Sequence, residues 1–344
     1  MNYLKKLSQN DTQVLKGIAL LLLLCHHCWY TGEGYNDIVV YGQPIFKQIG
    51  IFCKLCVSLF VFLSGYGLTM GSMKNNGVGK LMFFYKKRYF KLMINYWVIW
   101  LLFVPLGVFF LGRSFPDVYG DNYVFKALAD FFGIYSLVMG SVHGYNSTWW
   151  FYSCIIVLYF LYPLIWKYRK FWFLTIPLAL LIPEVCRLIP LRHGGIWGYL
   201  LSYSLPFVCG VLFANSIIPT VKFNLLAKSF LACIFLLMCF YRLKVSNTVL
   251  WDSLICIWGT FTYQQWSRIG FISKIFAFLG RHSFNIFLFH TFIYVYYFHD
   301  YIYWSQNPLL ICATLLAACI VTSVLIEKIK EVFKINHVQK ILIG

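Results

Sequence analysis

Two histidines, His26 and His27, stand side by side at the end of the apolar run LLLLLCHHCWY, where a membrane helix ordinarily carries nothing ionisable. Lys16 lies eleven residues before His27. On a helix that separation puts the two within about 20° of one face and about 16 Å apart along the axis, while His26 points about 80° away. A neutral imidazole in such a place is either a hydrogen-bonded packing residue or a group that exchanges protons in a reaction, and the local pattern leaves both open. A second cluster, FFYKKRYFKLMINYW, opens a later apolar run with Arg88 and Lys91 three apart on one helical face. Cations there anchor a helix end at the interface or grip phosphate, for which guanidinium and ammonium are natural partners. In GRHSFNIFLFH, Ser283 and His290 are seven apart and share a face. His290, deep in its run, either lines the same cavity as His27 or is a packed, satisfied side chain. Cys25 and Cys28 bracket the histidine pair, but on one continuous helix the four side chains diverge and cannot close a tetrahedron, so no metal site is expected.

The elements that must position these residues are membrane helices. The chain of 344 residues is 60% hydrophobic and 12% charged, a balance unlike that of a soluble domain. Apolar runs of about 18 to 22 residues recur along it, the length that crosses a hydrocarbon core. The fold class is all-α, a polytopic membrane protein with about ten spans: 14–31, 51–70, 92–112, 149–166, 171–183, 197–213, 226–243, 248–266, 277–298 and 308–326. Pairs such as Trp29-Tyr30, Tyr96-Trp97 and Trp149-Trp150 fall near span ends, as interfacial aromatic belts do. The run Ala127 to Gly140, interrupted by Asp130, reads as a re-entrant or interfacial helix. The intervals left over are too short for a core of their own, so residues 1–344 form a single membrane domain with no soluble domain. The first span follows a polar segment and lacks a small-residue cleavage pattern, so it reads as retained. The twelve cysteines fall mostly inside apolar runs, where Cys behaves as a small hydrophobe.

The net charge of +18 is unevenly spread. With both termini cytoplasmic, twenty of the 29 basic residues fall on the inner side, and Lys16 sits at its edge. Eight acids fall outside, Asp130 and Asp252 among them, whereas Asp11, Glu327 and Glu331 fall inside. Topology and anionic lipid account for such a bias. Basic residues lying against a membrane do not point to nucleic acid.

Taken together and in order, these stretches resemble the acyltransferase-3 family of integral membrane acyltransferases, which acylate cell-surface polysaccharides. LKGIALLLLLCHHCW is similar to the family's first span, with a basic residue, ten intervening residues and a histidine, here Lys16 and His27. FVFLSGYGL resembles the end of its second span. RYFK is similar to its R-x-x-R signature, with Lys91 in place of the second arginine. STWWFYSCIIVLYFLYPLI and SLPFVCGVLFAN resemble later spans, although the glutamate some members carry in the former is absent. FLGRHSFNIFLFH resembles the G-x-x-S-x-x-x-Y-L-x-H span, with Phe287 replacing tyrosine.

The resemblance implies an acyl-CoA donor, most simply acetyl-CoA, with its phosphates near Lys16, Arg88 and Lys91 and no metal. The acceptor would be a hydroxyl of a polysaccharide or its lipid-linked precursor, in a multi-pass protein of a cell membrane, bacterial and cytoplasmic. His27 would act as general base or as transient acyl carrier, with Ser283, Tyr66 or a second histidine such as His290 supplying donors to the oxyanion. The alternative class is a transporter or flippase of a lipid-linked glycan. Against it, no carboxylate is expected deep in any span and no inverted repeat is evident.

Overall fold

The computed structural model describes residues 6–188, 193–216, 224–245, 248–266 and 270–343. Lys5, Lys222 and Arg268, which the charge count assigns to the inner side, lie outside them. Helix α1 (Gln9–Trp29) starts where Ser8 Oγ accepts from Asp11 N–H at 3.0 Å and Asp11 Oδ2 accepts from Ser8 N–H at 2.8 Å, a reciprocal cap. A hairpin of two-residue strands, β1 (Val39–Val40) and β2 (Gln43–Pro44), leads to α2 (Ile45–Cys53) and α3 (Leu55–Lys74), which Lys54 separates. Helix α4 (Leu81–Phe110) is followed by short helices α5 (Phe115–Tyr119), α6 (Tyr123–Phe131) and α7 (Tyr135–Met139). A 3-10 turn at Ser147–Trp149 opens α8 (Trp150–Tyr168), and α9 (Trp172–Leu188), α10 (Gly194–Ser202) and α11 (Ser204–Asn215) follow. Helices α12 (Leu225–Arg242), α13 (Thr248–Trp266) and α14 (Gly270–Thr291) come next. A π-helical segment, Phe292–Tyr297, continues α14 into α15 (His299–Tyr303), α16 (Pro308–Val332) and α17 (Ile335–Ile343).

The expected spans lie mostly on helix, and among the described residues seven segments are long and apolar enough to cross a membrane: α1, α2 with α3, α4, Ser147–Tyr168, α10 with α11, α12 and α16. The other three are weaker. Helix α9 has 17 residues, and α13 and α14 are diluted by polar side chains such as Asp252 in one and Lys274 and Arg281 in the other. Boundaries also move. The third span was expected from residue 92 but its helix begins at Leu81, so Arg88 and Lys91 lie inside α4. The ninth, expected to be continuous to 298, changes to π-helix after Thr291. The run 127–140 is split between α6 and α7.

The core is built on two close helix pairs. Helices α1 and α14 run parallel: a Cβ on Gly17 would strike the Phe276 carbonyl, one on Gly280 the Gln13 carbonyl, and further along His27 meets His290. Helices α3 and α11 pack by the same device, with Gly65 against the Phe207 carbonyl and Gly210 against that of Phe62. In lipid the hydrophobic effect does not hold helices together, so close backbone approach through small residues takes its place. Helix α12 is the opposite case, with exposed Phe230, Leu236, Leu237 and Phe240 suited to lipid.

Two ion pairs lie in the helices. Asp252, assigned to the outer side, is 2% exposed near the start of α13 and pairs with Arg242 at 2.8 Å. Arg242 Nη1 also donates to the Ile51 carbonyl at 3.4 Å, beside the break between α2 and α3. Glu327 and Lys330, expected beyond the last span, lie in α16 because that helix runs on to Val332. Lys330 Nζ donates to Asn95, Asn285 and Glu327 at 2.8–2.9 Å, joining α4, α14 and α16.

Gly17→Val is therefore expected to destabilise the protein by about 1–3 kcal/mol or more, as overpacking does. Thermal unfolding in detergent checks this; an unchanged midpoint would show that α1 and α14 do not depend on the contact.

Candidate functional site: two mouths joined by α1

His26 and His27 diverge as helix geometry requires. His26 Nδ1 donates to the Gly50 carbonyl at 2.8 Å, which ties it to α2. His27 faces α14 and its continuation. Its Nδ1 shares a hydrogen bond of 2.9 Å with Tyr294 Oη, and its ring centre is 4.8 Å from that of His290. His290 is fully buried, and its Nδ1 donates to the carbonyls of Ile286 and Phe287 at 3.0 and 2.9 Å. A carbonyl only accepts, so the proton is on Nδ1 and the unpartnered Nε2 carries a lone pair.

The next carbonyl along, Leu288, accepts from Trp149 Nε1 at 2.8 Å and Asn146 Nδ2 at 3.3 Å. Thr148 Oγ1 and Thr291 Oγ1 are 3.1 Å apart. The start of α8 is thus pinned against α14 just where the π-helix begins. That segment aims three tyrosines at different partners: Tyr294 at His27, Tyr296 at Ser147 N–H, and Tyr297 at the Phe103 carbonyl. A π-turn beside a candidate site is a recurrent feature.

The structure separates other sequence candidates from this site. Ser283 is two turns, about 10 Å, before His290 on α14, and its Oγ donates to the Gly280 carbonyl at 2.7 Å. Tyr66 Oη accepts from Leu7 N–H at 2.8 Å, near the opposite end of α1 from His27. Neither is a donor beside His27. Tyr294 was not singled out in the sequence. Tyr294 lies four residues beyond His290, and that spacing on one helical face was the available signal.

At the Lys16 end, Lys91 on α4 is the cation that acts on Lys16, whereas Arg88, three residues before it, places its Nη2 beside Gly71 of α3. Lys16 and Lys91 repel each other across the gap, and Lys91 also feels Arg88 and Lys87. Arg88 lies over the Phe84 ring, 5.5 Å from its centre, and its Nε is buried without a partner. Among the described residues, none of these three cations forms an ion pair. Asn95, one turn on, returns its Nδ2 to the Lys91 carbonyl at 3.3 Å and accepts from Lys330 at 2.8 Å, which fixes this part of α4.

The α5–α7 segment, which Asp130 organises, packs against α4 and α8. Asp130 Oδ2 accepts from Tyr119 Oη at 2.6 Å and Tyr145 N–H at 2.7 Å, and its carbonyl accepts from Tyr96 Oη at 2.6 Å. Among the described residues, no group of three or more His, Cys, Asp or Glu side chains is arranged to hold a metal.

The arrangement is that of a membrane protein with cations at one mouth and an imidazole pair near the other, connected through one helix. The chain matches the acyltransferase-3 family, described as an acyltransferase domain, over residues 11–328, and it belongs to that family. It is a membrane acyltransferase. No curated protein and no solved structure gives a match.

Asp130 lies outside the candidate spans, and burial pushes its carboxyl up to about 6 against the pull of Tyr119 and Tyr145. The folded protein holds this proton more tightly than an unfolded chain, where the carboxyl titrates near about 4. Its contribution to stability is therefore full below about pH 4 and lost as pH rises through about 6. The unfolding midpoint of the wild type relative to Asp130→Asn is expected to fall between about pH 4 and pH 7; a difference that stays flat or rises would contradict the assignment.

Proposed function

We propose that this acyltransferase moves an acyl group, most simply acetyl, from cytoplasmic acyl-CoA to a hydroxyl of a cell-surface polysaccharide or its lipid-linked precursor. The observation that carries the reading is the pairing along α1: Lys16 near Lys91, with Arg88 one turn before it on α4, at one mouth, and His27 on Tyr294 and His290 at the other. The mouth with unpaired cations suits the phosphates of CoA. A pantetheine arm reaching along α1 matches the rise of about 16 Å from Lys16 to His27. In this arrangement both termini face the cytoplasm and the ten helical runs all cross the membrane.

His27 serves as general base. With Nδ1–H donated to Tyr294 Oη, its Nε2 lone pair takes the proton of the acceptor hydroxyl as the oxygen attacks the thioester carbonyl. The tetrahedral intermediate then expels the CoA thiolate, which recovers the proton from His27. A sugar hydroxyl needs this help because its own pKa lies far above neutrality. His290 has its Nδ1–H committed to backbone, so it shapes and packs the His27 ring and keeps its Nε2 lone pair free to accept from a substrate group. The transporter reading gains no specific observation: Asp252, the carboxylate buried in α13, is already held by Arg242.

In the purified protein supplied with radiolabelled acetyl-CoA and a polysaccharide acceptor, His27→Ala is expected to lower kcat by about 10²–10⁴-fold, the range for loss of a general base. Transfer at the wild-type rate would rule out the role. Lys91→Ala and Arg88→Ala are expected to raise KM for acetyl-CoA by about tenfold or more, the worth of a charge-assisted hydrogen bond, with a smaller change in kcat. A rise in acceptor KM instead would place these cations on the wrong substrate.

A further inference from the structure

On the face where His27 lies, Arg113, Asp117, His143, Gly144, Ser147 and Tyr296 line a cleft of about 560 Å³. The π-helical segment runs from the His27 site to this cleft: Tyr294 touches His27, and Tyr296, two residues on, forms a wall of the cleft.

The cleft is built around a cation. The Arg113 guanidinium lies 3.8 Å from the centre of the Tyr296 ring and 5.0 Å from that of Tyr145. Its Nη2 donates to the Tyr145 carbonyl at 2.9 Å, and Tyr145 Oη donates back to the Arg113 carbonyl at 2.8 Å. Its Nε is buried and has no partner. The group is thus oriented by two rings and a backbone bond but not neutralised. Among the described residues it forms no ion pair; of the nearby carboxylates, Asp117 lines the cleft and is exposed, and Asp130 is buried. Asp117 accepts from Ser114 Oγ, and Asp130 from Tyr119 and the Tyr145 N–H. A planar guanidinium held in this way, with N–H edges to spare, is suited to a two-oxygen anion.

We propose that this cleft is the acceptor subsite and that Arg113 selects an acceptor bearing an acidic group, a carboxylate or a phosphate, close to the hydroxyl that is acylated. The inference rests on the acyl-transfer reading for its catalytic meaning, but the binding preference stands by itself. Acceptor chains made of uronic acids or phosphate-linked sugars carry this chemistry, and neutral glycans do not.

The test is binding of methyl glucuronide, glucose 6-phosphate and methyl glucoside to the purified full-length protein, followed by titration calorimetry. Wild type, Arg113→Gln and Arg113→Lys are compared at matched unfolding midpoints. The acidic probes are expected to bind wild type about tenfold or more tightly than methyl glucoside, as for a charged hydrogen bond. Arg113→Gln should bring them to the level of the neutral sugar, and Arg113→Lys should keep part of the preference. Preference for the glucuronide alone identifies a carboxylate, and preference for the phosphate alone a phosphate. Equal binding of all three by the wild type overturns the proposal without recourse to any variant, as does a preference that survives Arg113→Gln. The two readings fail separately: acidic sugars bound selectively by a protein that never consumes acetyl-CoA would refute acyl transfer and leave the anion subsite, whereas acetyl passed equally well to methyl glucoside and methyl glucuronide would do the reverse.

Discussion

The close parallel contact of α1 with α14 is the constraint on which the rest depends. It exists because Gly17 and Gly280 let each backbone approach the other's carbonyls, at Phe276 and Gln13. Such contacts gain weak Cα–H···O bonds and dispersion, which suffice in lipid where apolar side chains gain little by leaving one apolar medium for another. Once the two axes are fixed, His27 must meet His290, and the widened turn after Thr291 brings Tyr294 onto the same imidazole. Side chains from the start of α8 then close around the Leu288 carbonyl. The chemistry is placed by backbone geometry before any polar contact is made.

Charge is managed in two ways. Inside the bundle, ions are paired: Arg242 with Asp252, and Lys330 with Glu327, beside Asn95 and Asn285. Removing one partner of such a pair leaves an uncompensated charge in a medium that solvates it poorly. At the two mouths the opposite holds. Lys16, Arg88 and Lys91 at one, and Arg113 at the other, are positioned without a carboxylate in ion-pair reach among the described residues. Cations left open where helices end on water favour anionic ligands, and in the reading proposed here those are donor phosphates on one side and an acidic acceptor on the other.

Much of this was legible in the sequence because it follows from period and composition. Apolar runs marked the helices, and the spacing of Lys16 and His27 separated His27 from His26. Motif order along the chain pointed to the family. What was not legible depends on tertiary register. Ser283 and Tyr66 looked suitable by residue type, but only the packing shows Ser283 turned to its own helix and Tyr66 near the far end of α1. The extension of α4 back to Leu81 was hidden because its cationic start has no apolar signature. The π-helix was hidden because a single added residue per turn leaves no trace in hydropathy. Arg113 and Asp130 sit in a stretch without strong periodicity, where ring stacking and a tyrosine cage, not helix period, determine the arrangement.

The most direct test of the account is a cryo-EM structure of the protein with CoA bound. The account predicts the diphosphate within ion-pair reach, about 4 Å, of Lys16, Arg88 or Lys91, and the thiol sulfur within about 4 Å, van der Waals contact, of the His27 ring. A CoA whose thiol ends away from His27, or whose phosphates lie at the Arg113 mouth, would contradict it.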